Sequence, residues 1–201
     1  MSILETDQLS DLEPENAAVA SEISEGDLLD NEDAQNKLKL LRLRNVGRVI
    51  IGYLNINSIT NKFEALRDII ATNIDILMVA ETKIVSSFPK GQFLIDGFAA
   101  PYRLDRNKDG GGLLAYVRSD IPSQLLTSFQ FEDGIECIGF EINLRKKKWA
   151  IFSVYRPPTQ PQQFLCENLG KAVDHYSSKY ENLCFWEILM LKRRMNVYRT
   201  F

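Results

Sequence analysis

Four polar residues stand where apolar runs stop. Asn55 and Asn57 close the run RVIIGYLNI, Glu81 follows ILMVA, and Tyr155 follows AIFSV. A carboxylate at the end of a buried strand is a ready ligand for a hard cation. Asparagine and tyrosine at such ends can orient a phosphate. Each of the four, taken singly, also serves as an ordinary loop cap. Their occurrence together and in this order is what points to a site.

Other candidates carry less chemistry. Gly110-Gly111-Gly112 is followed by a strand-like run, whereas a phosphate-binding P-loop needs GxxxxGK[ST] ahead of a helix. The triplet is therefore read as turn chemistry. Arg145–Lys148, RKKK, is read as a solvated hairpin tip that could also touch phosphates. His175 is the only histidine and falls in an amphipathic pattern beside Asp174 and Ser177. It reads as a surface helical residue, and no Ser/His/Asp or Cys/His nucleophile can be assembled around it. Cys137, Cys166 and Cys184 lack CxxC spacing and read as small buried hydrophobes in a reducing compartment.

These residues need a scaffold. Arg48–Ile56, Ile74–Thr82, Leu113–Arg118, Gly134–Asn143 and Trp149–Tyr155 are short apolar, β-branched or aromatic runs and read as strands. Gln92–Leu104 reads as extended. A helix capped by Ser58 or Thr60 places Phe63, Leu66, Ile69 and Ile70 on one face, and a second runs from Phe164 to Tyr180. The turn residues Asn107–Gly112 and RKKK make hairpins, which excludes an all-parallel sheet. The predicted fold class is a layered α/β sandwich with mixed sheets.

At 201 residues the chain holds one domain with a real core. Charge divides it. Residues 1–36 carry 11 acids and no Lys or Arg, which leaves 24 basic against 16 acidic residues in the rest, a balance of +8. The first segment, 1–36, is predicted to be an acidic disordered leader. The basic remainder suits a polyanionic partner. No run is long and apolar enough to span a membrane, and no signal peptide is visible. An intracellular protein is expected.

YLNINSITNKFEALRDII, DILMVAETKI, SFPKGQFLIDGFAAPYRLDRNKDGGGLLAYVRSDIP and WAIFSVYRPP, in that order, resemble a known family. It is the endonuclease domain of non-LTR retrotransposons, nearest to jockey-like elements, within the endonuclease/exonuclease/phosphatase superfamily. The resemblance runs from Arg48 to Asn182, about two-thirds of the chain. It implies a four-layered, apurinic-endonuclease-like sandwich. It implies Mg²⁺-dependent cleavage of target DNA that leaves a 3′-hydroxyl to prime reverse transcription, and hence action in the nucleus without a small-molecule cofactor. By it, Asn55 positions the scissile phosphate, Asn57 stands behind it, Glu81 binds the metal and Tyr155 contacts the phosphate.

The family continues with a GDFN strand and a late SDH, and neither is present here. After HYSSKYENL the chain reads CFWEILMLKRRMNVYRTF. Any codons for Trp186-Glu187, read from their third base, begin with a glycine codon. Synonymous choices through Arg194 then spell GDFNAEET, which begins with the GDFN motif. Residues 37–182 are thus expected to be a partial domain and 183–201 an out-of-frame tail. Two functions compete: an endonuclease domain without activity in this form, and a non-catalytic nucleic-acid-binding fragment or remnant.

Overall fold

Three apolar layers build the fold, and the two-residue period of each strand decides which layer a side chain enters. The structure, a computed structural model, describes residues 21–24, 31–71, 73–130, 134–157, 159–188 and 194–199. Along them run β1 (Ser21–Ser24), α1 (Asn31–Arg44), β2 (Ile50–Asn55), α2 (Phe63–Ile70), β3 (Ile76–Ala80), β4 (Tyr102–Leu104) and β5 (Leu113–Val117). Then follow β6 (Ser123–Gln130), β7 (Glu136–Leu144), β8 (Lys147–Tyr155), α3 (Gln162–Ser177), β9 (Asn182–Ile188) and β10 (Arg194–Arg199).

One sheet has six strands in the order β1-β10-β2-β3-β5-β4, the other four in the order β6-β7-β8-β9. β2 and β3 are parallel and joined through α2; β8 and β9 are parallel and joined through α3. The other pairs are antiparallel, so both sheets are mixed.

Alternation sorts the core. Ile50, Leu54, Leu77, Val79, Leu114 and Tyr116 leave the outer face of the larger sheet and meet Leu38 of α1 and Phe63, Leu66, Ile69 and Ile70 of α2. Ile51, Tyr53, Met78, Ala115 and Val117 point the other way, onto Ile138, Phe140 and Ile142 of β7 and Ile151 of β8. Cys137, Ala150, Phe152 and Val154 form the outer face of the smaller sheet, against Tyr176, Tyr180 and Phe185. The layers run helix, sheet, sheet, helix. Gly139 makes room in the last of these, because a Cβ there would stand 2.6 Å from a Phe152 ring carbon.

Both predicted hairpins form. Arg145 and Lys146 take φ of +50° and +66° between β7 and β8, as in a two-residue primed turn. β4 and β5 pair with Leu104 opposite Leu113, and the glycines lie in their connection. β6 carries no strong apolar alternation in sequence. It lies at a sheet edge with Leu125 exposed, so little burial pattern was imposed on it.

The ends differ most from the sequence reading. α1 begins inside the expected acidic leader. Arg42 and Arg44 fall in its last turn, which complements the helix dipole, and Leu38 is fully buried. Averaging charge over 36 residues concealed this start. β1, also in the leader, pairs with β10. Residues 1–20 and 25–30 lie outside the described residues. In the segment expected to carry no fold signal, β9 extends the smaller sheet, where Phe185 stacks on Phe152 with centroids 4.6 Å apart. β10 enters the larger sheet between β1 and β2. Among the described residues no helix is long and apolar enough to cross a membrane.

Candidate active site

Asn55 and Ala80 are partners in the parallel β2–β3 ladder, so Asn55 and Glu81 emerge side by side at the carboxyl ends of their strands. The backbone continues the pairing past both ends: Ile56 N donates to Ala80 O (3.0 Å), Ser58 N to Glu81 O (2.7 Å) and Ile59 N to Thr82 O (3.1 Å). Here Asn57, Ser58, Glu81 and Lys83 take φ of 44°, 78°, 56° and 55°. Left-handed backbone at such residues costs about 1 kcal/mol or more apiece, and it persists because these hydrogen bonds over-determine it. The twist at Glu81 turns its side chain inward. A strand-end position suggests a solvent-facing carboxylate, but Glu81 is only 6% exposed.

Tyr155 reaches the same place from the other sheet. It is in phase with Ile151 on the inner face of β8, and Glu136, in phase with Ile138 and Phe140 on β7, is its cross-strand partner. The Tyr155 hydroxyl donates to Glu81 Oε1. Gly111 N donates to Glu81 Oε2 at 3.2 Å, and the next amide, Gly112 N, donates to Glu136 Oε2 at 2.7 Å. Arg106 Nη1 donates to Glu136 Oε1 (3.1 Å) and Gly134 O (3.4 Å). Two carboxylates thus grip consecutive amides of the glycine loop. Burial, reinforced by the bond to Glu81, raises the Tyr155 phenol well above its usual range. Burial pushes Glu136 up to about 7, against the opposing pull of the Gly112 amide and Arg106.

Asn57 N donates to Asn55 Oδ1 at 3.2 Å, and Asn57 Oδ1 accepts from Lys83 Nζ at 2.7 Å. Lys62 Nζ donates to the carbonyls of Ile56 (2.7 Å) and Asn57 (3.2 Å). The structure therefore gathers Asn55, Asn57, Glu81 and Tyr155 at one end of the two-sheet seam and rings them with Lys62, Lys83 and Arg106. Oxygen donors inside a rim of cations can hold a phosphate and a hard metal ion together.

Sequence reasoning missed Glu136 and Arg106. The signal for Glu136 was present: a carboxylate in phase with Ile138, Phe140 and Ile142, where an apolar residue is expected. His175 is exposed on α3, with Nε2 3.2 Å from Lys179 Nζ. RKKK lies at the opposite end of β7 and β8 from Tyr155, roughly 25–30 Å away by strand rise. Cys137 is buried in the outer core, and burial pushes its thiol up to about 12.

No protein-family model matches the sequence, and no curated protein matches it at a significant level. Solved structures do match. TDP2 of D. rerio, complexed with single-strand DNA product, aligns with a TM-score of 0.51 at 10% identity over 70% of this chain and 60% of that one. TDP2 from C. elegans aligns with a TM-score of 0.52 at 15% identity over 71% and 48%. The chain has the endonuclease/exonuclease/phosphatase fold. Structures with that fold that align with it include the endonuclease domain of TRAS1, a telomere-specific non-LTR retrotransposon, with a TM-score of 0.45 at 13% identity over 69% and 57%. This chain spans about 60% of the length of the D. rerio structures it matches. Within the endonuclease/exonuclease/phosphatase fold the seam described above lies at the carboxyl ends of parallel strands, where open α/β sheets place their ligands.

Proposed function

We propose that this chain is the endonuclease portion of a non-LTR retrotransposon, with a site built for Mg²⁺-dependent hydrolysis of DNA phosphodiesters. We propose also that the 201-residue chain itself does not nick DNA. The observation that supports the first statement is Glu81, held from both sheets by Tyr155 and Gly111 and set beside Asn55.

The residues fit the metal in kind. Glu81 accepts one hydrogen bond on each carboxylate oxygen, and a carboxylate has about four lone-pair positions, so each oxygen keeps one. Asn55 Oδ1 is a second hard oxygen at the same strand ends. Among the described residues no group of three His, Cys, Asp or Glu forms a protein cage. Mg²⁺ takes one or two carboxylates and otherwise keeps water and substrate oxygens, so the single carboxylate of Glu81 would be a sparse site for it in this chain. Bound here, the ion would stabilise charge on the leaving oxygen. Asn55 orients the phosphate, and Tyr155 fixes Glu81 and faces the same phosphate.

Inactivity follows from chemistry the sequence lacks. Where GDFN belongs the chain reads Trp186-Glu187-Ile188, so the Asp and Asn that would orient the attacking water are replaced, and such a contribution is worth about 10²–10⁴-fold. His175 does not replace them from the exposed face of α3.

The test is nicking of supercoiled plasmid with Mg²⁺. The 201-residue chain leaves the plasmid intact, whereas a chain with the frame restored near Trp186 nicks it and loses that activity on Glu81→Ala. Nicking by the 201-residue chain, abolished by Glu81→Ala, would overturn the inactivity. A restored chain carrying both motifs that does not nick would overturn the endonuclease reading.

A further inference from the structure

Arg106 lies in the connection between β4 and β5, on the larger sheet, yet its guanidinium is fastened to the smaller one. Nη1 is held by the Glu136 carboxylate and the Gly134 carbonyl. The Glu136 side chain is fully buried, while that of Arg106 is 25% exposed. One end of the fork is thus fixed inside the seam, while the side chain as a whole keeps contact with solvent. The two bonds occupy Nη1, and a guanidinium carries three further N–H donors on Nε and Nη2.

The glycines around it clear its path. A Cβ on Gly111 would stand 2.5 Å from Arg106 Cδ and 2.8 Å from Nη1, and one on Gly134 would stand 3.0 Å from Nη2. Both glycines have positive φ, +74° and +84°. Two adjoining loops therefore give up side chains so that this arginine can lie across them. Its distance from the site is short in bonding terms: Glu136 and Glu81 accept from the consecutive amides of Gly112 and Gly111.

The plain alternative is that Arg106 only neutralises a buried acid. A buried ion pair is no better for stability than apolar side chains of similar volume, because desolvation offsets its Coulomb energy. Glu136 holds a position that alternation reserves for an apolar residue. Its partner keeps a quarter of its side chain exposed, and Lys62 and Lys83 add two more cations near the ends of β2 and β3, on Ile56 O, Asn57 O and Asn57 Oδ1. A forked, pre-oriented donor in that setting matches a phosphate oxygen pair.

We propose that Arg106 anchors a DNA phosphate at this site and that Glu136 is the residue that positions it. The inference rests on the DNA-directed reading above and adds two residues to it. The experiment is the affinity of the 201-residue chain for a fluorescein-labelled duplex oligonucleotide, followed from about 50 to 200 mM salt. Arg106→Gln weakens binding and lowers the slope of log K against log salt by about 1, the mark of one lost phosphate contact. Arg106→Lys keeps the slope, since the charge remains, but loses affinity severalfold because the fork is gone.

Measured at pH 8, where Glu136 is ionised, Glu136→Gln removes a negative charge, so a mere field effect would tighten binding; a positioning role weakens it severalfold. The double variant then binds no more weakly than Arg106→Gln alone. Cooperative thermal unfolding of each variant confirms the fold, and if Arg106→Gln does not fold, Arg106→Lys with unchanged affinity overturns the proposal. An unchanged salt slope for folded Arg106→Gln, or tighter binding by Glu136→Gln, also overturns it and leaves the DNA-directed reading standing. Absence of salt-dependent binding by the unaltered chain overturns both.

Discussion

Tyr155 and Glu81 belong to different sheets and share one hydrogen bond. Tyr155 is brought there by the period of β8, which keeps it in phase with the inner-face residue Ile151. Glu81 is brought there by a left-handed turn just after β3. The bond closes the seam at the end where Asn55 also emerges.

Tyr155→Phe removes only that hydroxyl. It leaves Glu81 Oε1 without its donor in a buried setting, where hydrogen bonds to charged groups are worth about 1.5–3 kcal/mol. Urea unfolding should show a loss of that size. A midpoint equal to that of the unaltered chain would mean the bond adds nothing to folding.

Gly112 and Gly47 share a left-handed backbone, with φ of +87° and +75°, but differ in what surrounds them. Gly47→Ala meets nothing within 4 Å and should cost about 1 kcal/mol, the backbone term alone. Gly112→Ala would set a methyl 2.4 Å from Thr82 Oγ1, next to Glu81, and should cost at least about twice as much. Equal costs in denaturant unfolding would contradict the close packing of the glycine loop on Thr82.

Glu136 makes stability depend on pH. Its carboxyl holds a proton up to about 7 in the fold and releases it near 4.5 when unfolded. Between those values the folded chain binds more protons, so this group's contribution to stability falls as pH rises. The whole effect is on the order of 3 kcal/mol at most. Glu136→Gln cannot ionise, so its stability relative to the unaltered chain should improve from pH 4.5 to 7. Parallel stability curves for the two proteins would show that Glu136 is not perturbed.

Asp75 ties three elements together. It accepts from Ile50 N at 2.7 Å, from Arg42 of α1 at 2.7 Å and from Arg118, just past β5, at 2.8 Å, and it is 3% exposed. Asp75→Ala should cost about 1–3 kcal/mol, because the buried Ile50 amide loses its acceptor, while Arg42 keeps Arg48 O and Asn73 O and Arg118 keeps Asp120. A loss below about 1 kcal/mol in urea unfolding would show that solvent satisfies that amide instead.

Much of the scaffold is readable without coordinates. The alternation in GIECIGFEIN and WAIFSVY predicts strands, and RKKK between them predicts a hairpin; both form, because a two-residue period and a tight turn are properties of neighbouring residues. FEALRDII declares its buried face for the same reason. α1 is less legible, because Leu38 and Leu41 are the part of it that packs on the core, while Leu40 and Leu43 stay exposed and blur the period. β10 is illegible: its place between β1 and β2 comes from open strand edges far away in sequence.

The sequence by itself determined that Asn55, Glu81 and Tyr155 would end strands, because an apolar run must stop where a polar side chain meets the rim of a core. It also determined, through the phase of β7, that Glu136 would point inward with Ile138 and Phe140. Only the tertiary structure decided that these ends coincide. Glu81 and Tyr155 are 74 residues apart and Arg106 and Glu136 are 30 apart. No local preference sets such distances. They are set when two sheets bury their inner faces against each other, and the polar groups left at the seam must then find partners across it.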